Sequence, residues 1–473
     1  MDFFSDYSLT INGQAYATPQ GVDIINPASG DCFATAPRAG ALELDRAVAA
    51  ARAAFPAWAG TPYAQRQHAV RRIADLLEHH QDSFARLLTM EQGKPLAAAA
   101  AEVGRALFWC REMAGYTLPE TQLNDDPERI VTIRHTPLGV AGAIVPWNFP
   151  MTLALWKIAP ALVTGNTMVL KPSPYTPLTA LKLGELLRSE LPPGVFNVIS
   201  GGDDLGPLMS SHPGFDKLAF TGSTVTGRRV MQSASATLKR ITLELGGNDP
   251  AIVMDDVDVA DLAPKLFWAC FANSAQYCLA SKRVYIHERI YDKFCAAVAA
   301  YGRTVKVGNG LEPDSQLGPV QNRQQYERVV SLLEDCKSQA YRFLLGGDVP
   351  SGCGYFVSPT IVDNPPDGSR IVQEEPFGPI VPFLKFSTVD EVIERANATE
   401  YGLGASVWCR DVSLANQIAD RLQAGMIWIN EIHKLTPHAP LAGHKQSGLG
   451  EENGLAGLLS YTNVQTRSVS RAM

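Results

Sequence analysis

Short apolar stretches at 140–145, 167–170, 196–199, 217–220 and 241–245 alternate with helix-like stretches at 153–162, 177–187, 205–210 and 227–234. Stretches so continuous in hydrophobicity are covered on both faces, and strands joined through helices pair in parallel. This segment therefore predicts an α/β fold built on a mostly parallel sheet. Ligands of such sheets bind outside the carboxyl ends of the strands. PWNFP (146–150), Lys171, Ser200-Gly201-Gly202, Gly222-Ser223 and Gly246-Gly247 all fall at those ends.

A second α/β region follows, with strands expected at 251–254, 283–286, 342–344, 355–361 and 426–429. Its helices are expected at 262–271, 289–301, 323–336, 388–397 and 412–422, and residues 368–386 read as a loop. Upstream, turn signals within 8–30 predict an edge hairpin. One long amphipathic helix is expected over 68–87, with an apolar face of Val70, Ile73, Leu76, Leu77, Phe84 and Leu87. Another helix covers 98–116, where Phe108, Trp109 and Tyr116 read as packing. Residues 119–139 are polar with a short β-like run, a surface hairpin available to another subunit. The extended stretch 459–469 could pair with that hairpin of a neighbour.

With 473 residues the chain is too long for one compact core, so two or three domains are expected. A formal net charge of -7 disfavours a general nucleic-acid surface. The eight cysteines are scattered, without paired metal-ligand spacing, which argues against structural zinc and for a reducing compartment. No apolar run reaches the ~20 residues of a membrane span. The N-terminus lacks a basic region followed by an apolar core, so a cytoplasmic protein is expected.

Four side chains can carry chemistry. Cys278, in FANSAQYCLASKR (271–283), reads either as a nucleophile at the end of an element or as an ordinary buried cysteine. Glu244 lies inside an apolar strand, where desolvation would raise its pKa toward that of a general base. Asn148, between Trp147 and Phe149, offers an amide N–H to an oxyanion or to backbone. Lys171 can reach ribose hydroxyls or a phosphate, or remain a solvated rim lysine. The turn at Gly222-Ser223 resembles a phosphate-binding loop but could equally be a helix cap.

Together PWNFP (146–150), WK (156–157), LKPS (170–173), FTGS (220–223), LELGG (243–247), the cysteine segment, EEPFGP (374–379) and GHKQSGLG (443–450) resemble the aldehyde dehydrogenase superfamily from about residue 8 to 469. The resemblance implies a Rossmann-type coenzyme domain (1–118 and 140–246), an α/β catalytic domain (247–440) and a small β oligomerisation element (119–139 and 455–473). It implies a homodimer or homotetramer acting on a small aldehyde. Cys278 falls on the nucleophile, Glu244 on the general base and Asn148 on an oxyanion donor. Pro146, Trp147, Lys171, Ser173, Pro174, Gly222, Ser223, Leu245, Gly246, Glu375 and Phe377 fall on the NAD(P) site. Phe149, Trp156, Tyr277, Leu279, His433 and Leu441 fall on the aldehyde pocket, and no metal is implied. The implied reaction runs through a thiohemiacetal and a thioester on Cys278, with Glu244 activating the hydrolytic water.

Three departures stand out. Ala275 replaces the usual Gly before Gln276, which should be tolerated. Pro174 stands where a Glu often takes both adenosine ribose hydroxyls, so NAD is expected first and NADP use is plausible. Leu441 replaces a common aromatic, leaving the aldehyde open, with Arg111 and Lys434 as candidate carboxylate partners or mere surface cations. The alternatives are a coenzyme A-acylating relative and a catalytically silent structural or binding protein.

Overall fold

The structure, a computed structural model, describes residues 2–471. The five expected strands become Val140–Ile144, Thr167–Lys171, Phe196–Val198, Lys217–Thr221 and Arg240–Glu244, all in one eight-stranded sheet. Their spatial order is third, second, first, fourth, fifth, and every pairing among them is parallel. The order reverses beside the first strand, so a crevice opens between the ends of Val140–Ile144 and Lys217–Thr221. The helix Pro150–Val163, which leaves the first strand, is buried on every side, as its mostly apolar sequence requires.

The edge hairpin is Leu9–Ile11 and Gln14–Tyr16, joined antiparallel to the third strand at Thr10 and Val198. Asn12 and Gly13 both have positive φ, 53° and 72°, the backbone a tight two-residue hairpin turn requires. Gly448–Leu449 closes the opposite edge against Leu243 and Glu244.

The second sheet has seven strands, ordered Phe343–Leu345, Thr360–Asp363, Ile380–Phe386, Ser281–His287, Asp249–Val253, Gly404–Trp408 and Met426–Ile429. Three of these differ from the sequence reading. Ile380–Phe386 was expected within a loop because Pro376, Pro379 and Pro382 punctuate it, yet it pairs in parallel on both sides. Burying six of its seven residues outweighs the local proline signal. The strand expected at 355–361 begins only at Thr360, immediately after Pro359, which has no N–H for a ladder. Gly404–Trp408 is a further central strand that the sequence reading passed over.

The helix expected over 68–87 is two helices, Tyr63–His79 and Gln81–Gln92, broken where His80 leaves helical geometry at φ -112° and ψ 18°. Its apolar face survives the break, with Val70, Ile73, Leu76, Leu77, Phe84 and Leu87 all buried. The C-terminal strand Thr462–Ser470 does not wait for a neighbour. It pairs antiparallel with Arg129–Pro137 of its own chain along its whole length, and Thr121–Asp125 completes a three-stranded sheet. The short helix Gly454–Leu459 leads into it.

Candidate active site

The Cys278 segment follows the helix Val259–Phe271, which Asp258 caps by accepting from the N–H groups of Ala260 and Asp261. Beyond it, Asn273, Ser274 and Ala275 all take left-handed backbone, φ 54°, 54° and 58°. Such geometry costs roughly 1–2 kcal/mol per non-glycine residue, so other bonds must hold it. Ser274 Oγ donates to the Gly318 carbonyl at 2.7 Å, and Gln276 Nε2 donates to the Asn273 and Pro319 carbonyls. Gln276 Oε1 in turn accepts from the Gln321 N–H at 2.7 Å. The methyl of Ala275 is accommodated, as expected, but on backbone that favours glycine.

Held this way, Cys278 lines two cavities at once. One, of about 310 Å³, is the crevice at the strand ends, walled by Pro146, Trp147, Gly222, Ser223, Leu245, Gly246, Glu375 and Phe377. Trp147 and Phe377 meet edge to face there at 5.4 Å. Ser223 caps the helix Thr224–Ala234, accepting from the Thr226 N–H, so the helix start faces the crevice. A Cβ at Gly246 would stand 2.3 Å from Glu375 Oε2 and force that carboxylate to shift. Lys171, Ser173 and Pro174 lie outside this cavity, at the same end of the sheet beside Ile144. Burial lowers the Lys171 pKa to about 8, with Asp203 and Asp204 opposing the shift.

The other cavity, of about 380 Å³, is walled by Phe149, Trp156, Tyr277, Leu279, His433 and Leu441. His433 Nε2 donates to the Leu279 carbonyl at 3.0 Å, and burial pushes its pKa down to about 4, so the ring is neutral. Arg111 is not in this cavity; it pairs with Asp75 and Glu78 on the surface. Lys434 does not line it either.

Glu244 is buried against Cys278, and neither carboxylate oxygen has a complete hydrogen bond. Burial raises its pKa to about 7, with the Lys157 charge and the nearby Cys278 thiol opposing the rise. Burial, then the Glu244 charge, holds the Cys278 thiol well above its usual pKa. Asn148 Nδ2 donates to the Gln276 carbonyl at 3.1 Å, which leaves one amide hydrogen free. The Asn148 main-chain carbonyl accepts from Lys94 Nζ at 2.8 Å, and Lys94 is paired in turn with buried Glu102. A thiol, a base of near-neutral pKa and an amide donor thus surround the point where the cavities meet, which is the equipment of acyl transfer.

The sequence pattern of the aldehyde dehydrogenase family matches residues 15–467. The chain belongs to that family. Aldehyde dehydrogenase LUC3 of a Fusarium species is 41% identical over 99% of both chains. The phenylacetaldehyde dehydrogenase of Pseudomonas fluorescens is 39% identical over 96% of this chain and 93% of its own. The structure of a Bacillus cereus aldehyde dehydrogenase in complex with NAD+ superposes with a TM-score of 0.97 at 36% identity, covering 99% and 98% of the two chains. The reaction of this family is oxidation of an aldehyde to the carboxylic acid, and this chain is an oxidoreductase of that kind.

Several residues of this aldehyde dehydrogenase site were missed by the sequence reading. Trp109, read as packing, is a wall of the second cavity, stacked on Trp156 at 5.6 Å. Lys157 is fully buried and donates to Thr221 Oγ1 and Glu452 Oε1, both at 2.8 Å. Lys282, in the fully buried strand Ser281–His287, donates to the Cys278 carbonyl and pairs with Glu375. Its only sequence signal was a Lys-Arg pair where the pattern asked for apolar residues. Among the described residues, no helix is long and apolar enough to cross a membrane.

Proposed function

We propose that Cys278 is the nucleophile, Glu244 the base and Asn148 an oxyanion donor in oxidation of an aldehyde to the acid. The observation carrying this reading is that Cys278 borders both cavities while facing an unpaired, buried carboxylate. The Cys278 thiol gives up its proton to solvent, and the sulfur adds to the aldehyde carbon. The carbonyl oxygen, now negative, is met by the free hydrogen of Asn148 Nδ2 and the main-chain N–H of Cys278. A nicotinamide dinucleotide in the 310 Å³ crevice supplies the hydride acceptor. Glu375 and Phe377 would hold its nicotinamide ribose and ring, Ser223 its pyrophosphate and Lys171 its adenosine ribose. Glu244 then removes a proton from water, which displaces the sulfur and releases the acid. A buried base of pKa about 7 beside the sulfur favours hydrolysis over transfer to coenzyme A.

NAD is the preferred cofactor on this reading. Pro174 gives the adenosine ribose no carboxylate, but Asp203 and Asp204 bring negative charge to Lys171 and oppose a 2'-phosphate. NADP use remains weaker, and steady-state kinetics with both cofactors measures the ratio. The expected domains (1–118 with 140–246, and 247–440) are supported by the two sheets, and 119–139 with 455–473 by the small third sheet. Leu123, Val464 and Val469 stand exposed on that third sheet, which supports a homodimer or homotetramer. Free cysteines throughout the described residues support a reducing, cytoplasmic setting.

The test is mass spectrometry of Glu244→Gln mixed with NAD+ and an aldehyde. An acyl group trapped on Cys278, with one burst of reduced cofactor, is expected. An unmodified Cys278, or normal turnover by Cys278→Ala, overturns the assignment.

A further inference from the structure

The aldehyde cavity carries one charge that nothing in the chain answers. Ala98, Ala101, Arg105 and Trp109 lie three or four residues apart on the helix Leu96–Met113, so one helical face lines the cavity. The two alanines leave room beside the arginine. Arg105 stands exposed at the rim of the cavity, and among the described residues its side chain makes no hydrogen bond and no ion pair. Its guanidinium is instead 5.9 Å from the centre of the Phe149 ring.

The nearest candidate acid, Glu102 one turn earlier, is already used. One of its oxygens pairs with Lys94, and the other accepts from the N–H groups of Met151 and Thr152. The other groups feeling the Arg105 charge are Lys94, Tyr277 and His433. Lys94 is held by Glu102 and the Asn148 carbonyl, and His433 is bonded to the Leu279 carbonyl. The Tyr277 hydroxyl, like Arg105, has no hydrogen-bond partner among the described residues. A guanidinium at the rim and a hydroxyl, both without protein partners, thus border a largely apolar cavity.

We propose that Arg105 selects the substrate: an aldehyde with an aromatic body and a carboxylate at the end away from the formyl group. This rests on the reading of the 380 Å³ cavity as the aldehyde site. The aromatic body packs against Phe149 and Tyr277, whose rings lie 4.8 Å apart, and against the neighbouring Trp109 and Trp156. The carboxylate accepts the guanidinium's paired N–H groups, a geometry that matches two oxygens in one plane. The Tyr277 hydroxyl is a further donor to it. Arg105 would act on binding, remote from the reacting carbon.

The test uses two substrates of nearly the same shape, 4-formylbenzoate and 4-formylbenzamide, with saturating NAD+. The protein as it stands should favour the benzoate by about tenfold or more in kcat/KM, through KM. Arg105→Met should abolish that ratio and Arg105→Lys should keep part of it. Turnover of the benzamide by the same preparation reports an intact site. Should Arg105→Met fail to fold, salt serves instead: raising ionic strength should raise KM for the benzoate and not for the benzamide. No preference in the unsubstituted protein, or an unchanged ratio in Arg105→Met, overturns the role of Arg105 alone. If no aldehyde of either kind is oxidised and Cys278 is never acylated, the reading of the cavity falls instead.

Discussion

Lys282 Nζ and Glu375 Oε1 are 3.1 Å apart directly behind the cysteine, with side-chain exposures of only 2% and 13%. The same ammonium donates to the Cys278 carbonyl, and the same carboxylate accepts from the Gly247 N–H at 3.2 Å. Asp249, buried beside Lys282, has its pKa raised to about 7 by burial, with the Lys282 charge opposing the rise. One lysine therefore links the Cys278 backbone to the carboxylate that borders the 310 Å³ crevice.

Removing that lysine leaves Glu375 without its buried partner. Lys282→Met should destabilise the protein by about 3 kcal/mol in chemical denaturation, because an uncompensated buried charge is costly. It should also weaken NAD+ binding measured by calorimetry. The double variant Lys282→Met/Glu375→Gln should recover part of the stability. A Lys282→Met protein as stable as its parent would refute the pairing as a structural element.

Glu244 makes stability depend on pH in an unusual direction. Its folded-state pKa is about 7 against an ordinary 4.5, so between these values the folded protein holds a proton that the unfolded chain has released. Its contribution therefore falls as pH rises from about 4.5 to 7, and the penalty is complete above 7. Glu244→Gln should be more stable than the parent above pH 7, by on the order of 2–3 kcal/mol. The difference should vanish near pH 4.5. Urea denaturation at several pH values checks this, and a pH-independent difference would remove the carboxylate as its cause.

Asn148→Ala deletes one of the two proposed oxyanion donors. The loss should be about 3 kcal/mol of transition-state stabilisation, roughly a hundredfold in kcat. KM should change far less, since the donor acts on charge that develops only after the sulfur adds. A change confined to KM would place Asn148 in substrate binding instead.

Ala275 lies in the left-handed region at φ 58°, between Ser274 and Gln276. Ala275→Gly relieves that backbone strain and gives up some unfolded-state restriction. A net gain of about 0.5–1 kcal/mol is expected in thermal or chemical unfolding. A loss of stability would mean that the Ala275 methyl contributes packing that exceeds its backbone cost.

The sequence by itself determined the parallel sheet, because five apolar stretches with helical connections have few other ways to be covered. It also pointed to part of the crevice lining, because PWNFP, Gly222-Ser223 and Gly246 sit at strand ends, where such sheets bind ligands. It could not decide Ile380–Phe386, whose prolines read locally as a loop, nor the break at His80 within a continuous apolar pattern. Nor could it decide the charges. Arg111, Lys434 and Arg105 are not told apart by their local sequence, and only the packing of the helix Leu96–Met113 near Phe149 brings Arg105 to the rim of the cavity. Lys157, Lys282 and Glu452 are buried because partners far away in sequence converge on them. Local pattern records which face of an element is apolar. Which charge meets which across that face is settled by chain segments hundreds of residues apart, and only the tertiary structure brings them together.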